Sequence, residues 1–235
     1  MEDRIAKKKL NIILLVDTST SMRGARIEQV NDAVKEITTY LTNQQSENTE
    51  VDFDITLLSF ATNAELYNDQ RCCNIADFDF KGLPTGGWTN LHLAYKRLKE
   101  LMVPAARGGI MPDYGGLAPI VLLLTDGHPT KNLYYNYLKD LEKLPWFNHS
   151  LKFAVAIGLN DTRTMSVLED FTKNKATVLT CLDSDALKEI IKVIVITTSM
   201  VKSKHSVANQ TEVSVNEQII QQVTDNIENA EQWGW

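Results

Sequence analysis

Apolar positions follow two periods along the chain, and segments of the two kinds alternate. "LNIILLV" (10–16) is a short apolar run of the kind that fills a strand buried on both faces. Ile27, Val30, Val34, Ile37 and Leu41 then recur every three or four residues, which is one face of a helix. "VDFDITLLSF" (51–60) opens with strict alternation and closes apolar. It predicts a second strand, with residues 64–67 pairing back onto it as a hairpin. Leu91, Ala94, Tyr95, Leu98, Leu101 and Met102 mark a second helix. "IVLLLTDG" (120–127) repeats the opening theme, and residues 131–144 predict a helix. "LKFAVAIG" (151–158) is a strand, "TMSVLEDFTK" (164–173) a short helix and "ATVLTC" (176–181) a strand. Asp183 or Ser184 then caps a last helix reaching about Thr198.

Alternation of this kind predicts an α/β fold: a doubly wound, mostly parallel sheet with one antiparallel edge strand and helices on both faces. Turn-rich stretches separate the elements, notably "LPTGGWTN" (83–90). "PAARGGIMPDYGGLAP" (104–119) is long and rich in Gly and Pro, and is expected to be exposed or mobile. After Met200 the pattern changes. Residues 201–213 are polar and read as a linker. Beyond them Ser214 and Glu217 form a capping box ahead of Ile219 or Ile220, Val223 and Ile227 at near-helical spacing. The chain thus divides into residues 1–200 and a tail, 201–235, that ends in Trp233 and Trp235.

Ligands of such sheets collect at the carboxyl ends of the strands. Two apolar runs end there on an aspartate, Asp17 and Asp126. Asp17 opens the hydroxyl block Thr18, Ser19, Thr20, Ser21. Clusters like this are also common turn chemistry. Alternate residues leaving a strand, however, aim Asp17, Ser19 and Ser21 at one point, and Gly86 and Gly87 let Thr89 approach it. Asp17, Ser19, Ser21, Thr89 and Asp126 are five hard oxygen donors, suited to Mg²⁺, Mn²⁺ or Ca²⁺ rather than zinc. An octahedral ion needs a sixth ligand, so the shell is open to water or to a partner's oxygen. Thr18, Thr20 and Thr125 are expected to point away from the pocket, and His128 to be a turn residue beside Pro129. Trp88 stands either on the rim or packed under its loop.

These pieces resemble von Willebrand factor A domains. "DTSTS" matches the DxSxS signature, Thr89 in "GGWTNLHLA" falls at the family's threonine, and Asp126 in "LLLTDGHPT" at its second aspartate. The resemblance covers about residues 8–200 and implies a metal-ion-dependent adhesion site on a Rossmann-like sheet. Ser19, Ser21 and Thr89 would then bind Mg²⁺ directly, and Asp17 and Asp126 largely through water. The chain is most similar to the compact cytoplasmic bacterial TerY type, associated with tellurium resistance and stress operons. Members are often encoded beside a protein kinase and a phosphatase, which become candidate partners. Some relatives add a zinc ribbon, for which this chain has no cysteine pairs.

Composition narrows the function further. The net charge of −6 argues against nucleic acid or an anionic membrane as the main partner. Cys72, Cys73 and Cys181 form no CxxC pair and read as isolated thiols of a reducing cytoplasm. The apolar run after the basic start is cut by Asp17, so it reads as a strand rather than a signal peptide. No run reaches the 18 or so apolar residues of a membrane span.

The chain therefore reads as a metal-dependent protein-binding module that takes a partner's Glu or Asp, and not as an enzyme. Two alternatives stand beside it. A Mg²⁺-dependent phosphatase of the haloacid dehalogenase kind needs a second Asp two residues after the first, where this chain has Ser19. A metal-independent scaffold would recruit through the tail. GxSxG and GxxxxGK[ST] are both absent.

Overall fold

The structure is a computed structural model that describes residues 7–47, 51–114, 116–158, 161–181, 184–205 and 212–232. Its centre is a seven-stranded sheet: β1 (Lys8–Asp17), β2 (Val51–Phe60), β3 (Ala64–Leu66), β4 (Cys73–Asn74), β5 (Ile120–Thr125), β6 (Leu151–Ile157) and β7 (Val178–Cys181). The order is β3-β2-β1-β5-β6-β7, with β4 also on β2. The strands are parallel except β3 and β4, which run antiparallel to β2. The doubly wound α/β sheet expected from the periodicity is the one observed. It has a second short antiparallel strand, β4, whose two residues carry too little pattern to be seen.

Strand β1 shows why the apolar run is continuous. Ile12, Leu14 and Val16 enter a core layer with α1 (Ala25–Glu47), α6 (Ser184–His205) and α7 (Glu212–Gln232). Ile13 and Leu15 enter the opposite layer, with α2 (Leu91–Leu101), α3 (Tyr134–Leu141), α4 (Pro145–His149) and α5 (Thr162–Thr172). Both strand faces are covered, so alternation disappears from the sequence. In β6 one layer receives Phe153, Val155 and Ile157 and the other only Ala154 and Ala156. The small side chains make room there for Phe147 and Phe171, whose rings lie 6.1 Å apart.

Two expectations change. The helix expected over 131–144 begins only at Tyr134, and a separate α4 follows, with Pro145 opening its first turn. The long loop at 104–119 is exposed at residues 105–108, 113 and 114, as expected, and anchored at Met111, which is fully buried and whose amide donates to Val103 O at 3.1 Å. Helix α6 runs to His205, through the first residues of the expected linker. Helix α7 lays Val215, Ile219 and Val223 into the same core layer as α1 and α6, so its apolar stripe is covered. The side chains of Ser184 and Ser214, and all of Asp183, Trp233 and Trp235, lie outside the described residues.

Candidate metal centre

The strand order fixes where a site can form. From β1 the chain winds one way to β2, and β5 lies on the other side of β1, so the switch point falls between β1 and β5. The crossovers leave in opposite directions there and open a crevice at the carboxyl ends of the two strands. Asp17 is the last residue of β1, and Asp126 directly follows β5. Both are completely buried.

Each carboxylate is held by specific donors. Asp17 Oδ1 accepts the Ser19 backbone N–H at 2.8 Å, and Oδ2 accepts the Thr125 hydroxyl at 2.6 Å. Asp126 Oδ1 accepts the Ser21 hydroxyl at 2.7 Å, and Oδ2 accepts the Arg26 guanidinium at 2.6 Å. Ser19 Oγ lies 3.0 Å from Ser21 Oγ. Ser21 gives its single proton to Asp126, so Ser19 is the donor of that pair.

Thr89 arrives on a separate loop tied to the same place. Thr20 N and Oγ1 both donate to Gly87 O, at 3.1 and 3.0 Å, and Gly86 N donates to Thr18 O at 2.8 Å. Thr89 and Thr130 are doubly bonded: Thr130 N donates to Thr89 O at 2.9 Å and Thr89 N to Thr130 Oγ1 at 3.2 Å. Gly87 has φ +86°, and a Cβ there would fall 2.2 Å from Thr62 Oγ1, so glycine is required. The result is a shallow depression of about 350 Å³ lined by Ser19, Thr20, Ser21, Gly87, Trp88, Thr89 and Thr130. Larger hollows of about 620 and 650 Å³ lie beside α1 and β3, lined by carboxylates and cations already mixed at the surface.

Burial dominates the electrostatics. It pushes the Asp17 carboxyl up to about 6, against the lowering effect of the Thr125 and Ser19 hydrogen bonds, and the Asp126 charge adds a smaller push. A cation beside Asp17 would relieve that cost. Among the described residues, no three of His, Cys, Asp or Glu gather in a group that could hold a metal ion by themselves. The convergent donors are instead carboxylates and hydroxyls, which fit a hard cation.

Comparison with known proteins places this architecture. A family model for the von Willebrand factor type A domain matches residues 11–193. The chain belongs to the von Willebrand factor type A domain family. This A domain is 27% identical over 166 residues to inter-alpha-trypsin inhibitor heavy chain H4 of Bos taurus, covering 67% of this chain and 17% of that protein. The chain therefore spans about a sixth of that relative. Among solved structures it resembles proximal thread matrix protein 1 of the mussel byssus, with a zinc-occupied MIDAS motif. The TM-score is 0.55 and the identity 21%, over 80% of this chain and 47% of that one. It also resembles the vWF domain of the pilus tip protein Mfa5 of Porphyromonas gingivalis, with TM-score 0.57 and 10% identity over 82% and 97% of the two chains.

Four residues of the site escaped the sequence pattern: Thr20, expected to point away, and Thr130 line the depression, and Thr125 and Arg26 hold its carboxylates. Thr125, expected to point away, is the donor that holds Asp17. Arg26, in the first turn of α1, reaches Asp126 across 100 residues of sequence. Nothing in the periodicity marks a polar helix residue as facing a strand end. Trp88 is 66% exposed, which settles it on the rim. His92 is buried, 5.7 Å from the Tyr137 ring. His128 is exposed beside buried Pro129.

Proposed function

We propose that this A domain holds a divalent cation, Mg²⁺ before Mn²⁺ or Ca²⁺, with Asp17, Ser19, Ser21, Thr89 and Asp126, and presents it to a protein partner's Glu or Asp. The observation that carries this is the unbroken chain of hydrogen bonds Ser19–Ser21–Asp126 beside Asp17, all at the switch point of the sheet. The donors are hard oxygens, and the depression above them is open to solvent. The zinc-occupied motif of the mussel protein supports a divalent ion in this fold. The bound ion would supply a positive point toward which the partner carboxylate is drawn. Ser19, Ser21 and Thr89 would hold the ion, and the Asp17 and Asp126 carboxylates would balance its charge.

The rim suits such a partner. Arg23 and Lys131 are exposed beside Ser21 and Thr130, in a chain whose net charge is −6. Trp88 offers an exposed aromatic face, the kind of anchor interfaces favour. Binding rather than turnover is favoured because the serine hydroxyls bond to each other and to Asp126, with no imidazole bonded to them among the described residues. The finer assignment is to the TerY-type cytoplasmic bacterial proteins of tellurium resistance and stress, with a kinase or phosphatase as partner. It rests on the motif spacing and the "TDGHPT" turn. No described helix is long and apolar enough to cross a membrane.

The test is affinity capture from cells of the source organism with wild type and Asp17→Asn, in Mg²⁺ and in excess chelator. A partner recovered only by wild type in Mg²⁺ is expected. Equal recovery in all four conditions would overturn the reading. Mg²⁺-dependent hydrolysis of p-nitrophenyl phosphate, lost in Asp17→Asn, would favour the phosphatase alternative instead.

A further inference from the structure

Arg26 occupies an unusual position for a surface cation. Its Nη1 lies 2.6 Å from Asp126 Oδ2 and also donates to Ser21 O at 3.1 Å. The Asp126 side chain has no exposed surface, whereas Arg26 keeps about a third of its own (34%). Both Asp126 oxygens are therefore committed, one to Ser21 and one to Arg26. The guanidinium is also seated by the backbone around it. Gly158, just past β6, has φ +66°, and a Cβ there would sit 3.0 Å from Arg26 Nε. A side chain at 158 would press on Arg26, and glycine leaves it room.

We infer that Arg26 is a resident cation of this site, one that fixes Asp126 and weakens the site for a lone divalent ion. This rests on the metal reading above. A guanidinium keeps its charge at any pH the protein meets. Two hydrogen bonds from its Nη1, to Asp126 Oδ2 and Ser21 O, hold it in the site. With Arg26 paired to Asp126, two ionised carboxylates and one guanidinium sum to a single net negative charge. A divalent ion turns that into a single net positive charge, and one carboxylate from outside returns it to neutral. Without Arg26 the ion would already be neutralised by Asp17 and Asp126. The arginine thus opposes the ion by like-charge repulsion and leaves surplus positive charge for the partner. Metal occupancy becomes coupled to partner occupancy. Arg26 is a positioning residue in this scheme and ligates nothing.

The test is calorimetric titration of the full chain with Mn²⁺, for wild type, Arg26→Met, Arg26→Gln and Arg26→Lys. Melting in EDTA checks that each variant folds. Met matches the arginine stem in length without its charge, Gln retains a donor, and Lys retains the charge. The expectation is that Met and Gln tighten Mn²⁺ binding by about tenfold or more, while Lys stays within about threefold of wild type. Should Arg26→Met fail to fold, Arg26→Gln decides. A neutral variant that folds and binds Mn²⁺ no tighter than wild type overturns this inference alone. Absence of Mn²⁺ binding in every chain, wild type included, overturns it together with the metal reading. Binding by the neutral variants and not by wild type supports it in its strongest form.

Discussion

The Thr125 hydroxyl donates to Asp17 Oδ2 at 2.6 Å, joining the last residue of β5 to the last residue of β1 inside the core. The bond crosses the switch point and orients the carboxylate from behind. Thr125→Val keeps the shape and removes the donor, leaving a buried carboxylate oxygen without a partner. The expected cost is about 1–3 kcal/mol in chemical denaturation with chelator present. Mg²⁺ should recover part of it, because the ion substitutes for the lost donor. Equal stability of variant and wild type would mean the bond contributes nothing.

Asp17 makes the metal-free protein sensitive to pH with a definite sign. Its carboxyl is raised from 3.8 to about 6 by burial, so the folded state holds the proton more tightly than the unfolded state. That contribution to stability is fully present below about 4 and is lost as pH rises through about 6. In chelator, Asp17→Asn should therefore be more stable than wild type at pH 8, by about 1–3 kcal/mol. The gap should close as the pH falls to 4. The same variant should gain no stability from Mg²⁺. A gap that widens on acidification would reverse the assignment.

Gly87 sets the turn that carries Thr89. With φ +86° and Thr62 Oγ1 2.2 Å from the position a Cβ would take, Gly87→Ala must displace the loop. A loss of about 1–3 kcal/mol is expected, accompanied by weaker Mn²⁺ binding in calorimetry because Thr89 moves with it. Unchanged Mn²⁺ affinity would remove Thr89 from the ligand set.

Trp88 and Ile219 separate interface from core. Trp88→Ala, at a 66% exposed site, should shift stability by no more than about 0.5 kcal/mol and abolish capture of the partner. Ile219→Ala, at a fully buried site in α7, should cost about 2–4 kcal/mol and leave Mn²⁺ affinity unchanged. Loss of capture with Ile219→Ala at full folding and normal metal binding would instead support recruitment through the tail.

Strand and helix order was readable because buried parallel strands and amphipathic helices have different periods, and this chain keeps them distinct at 10–16, 27–41 and 120–125. The convergence of Asp17, Ser19, Ser21 and Asp126 followed from their place at strand ends. Elements such as β4 and α4 were missed because two to five residues carry no period. Arg26 and Thr125 were missed for another reason: one acts from a helix, the other from inside a strand, and their roles depend on register between distant segments. The expected end of α6 near Thr198 falls short of His205 because residues 202–205 are polar, and a polar helix end looks like a linker.

The most direct measurement is the anomalous difference map of a crystal grown with Mn²⁺ and recorded at the manganese edge. A single strong peak is expected within about 2.2 Å of the Ser19 and Ser21 hydroxyls and of Thr89 Oγ1, with Asp17 and Asp126 beneath it. A well-ordered site with no peak there, and the Thr89 side chain turned away from both serines, would contradict the account.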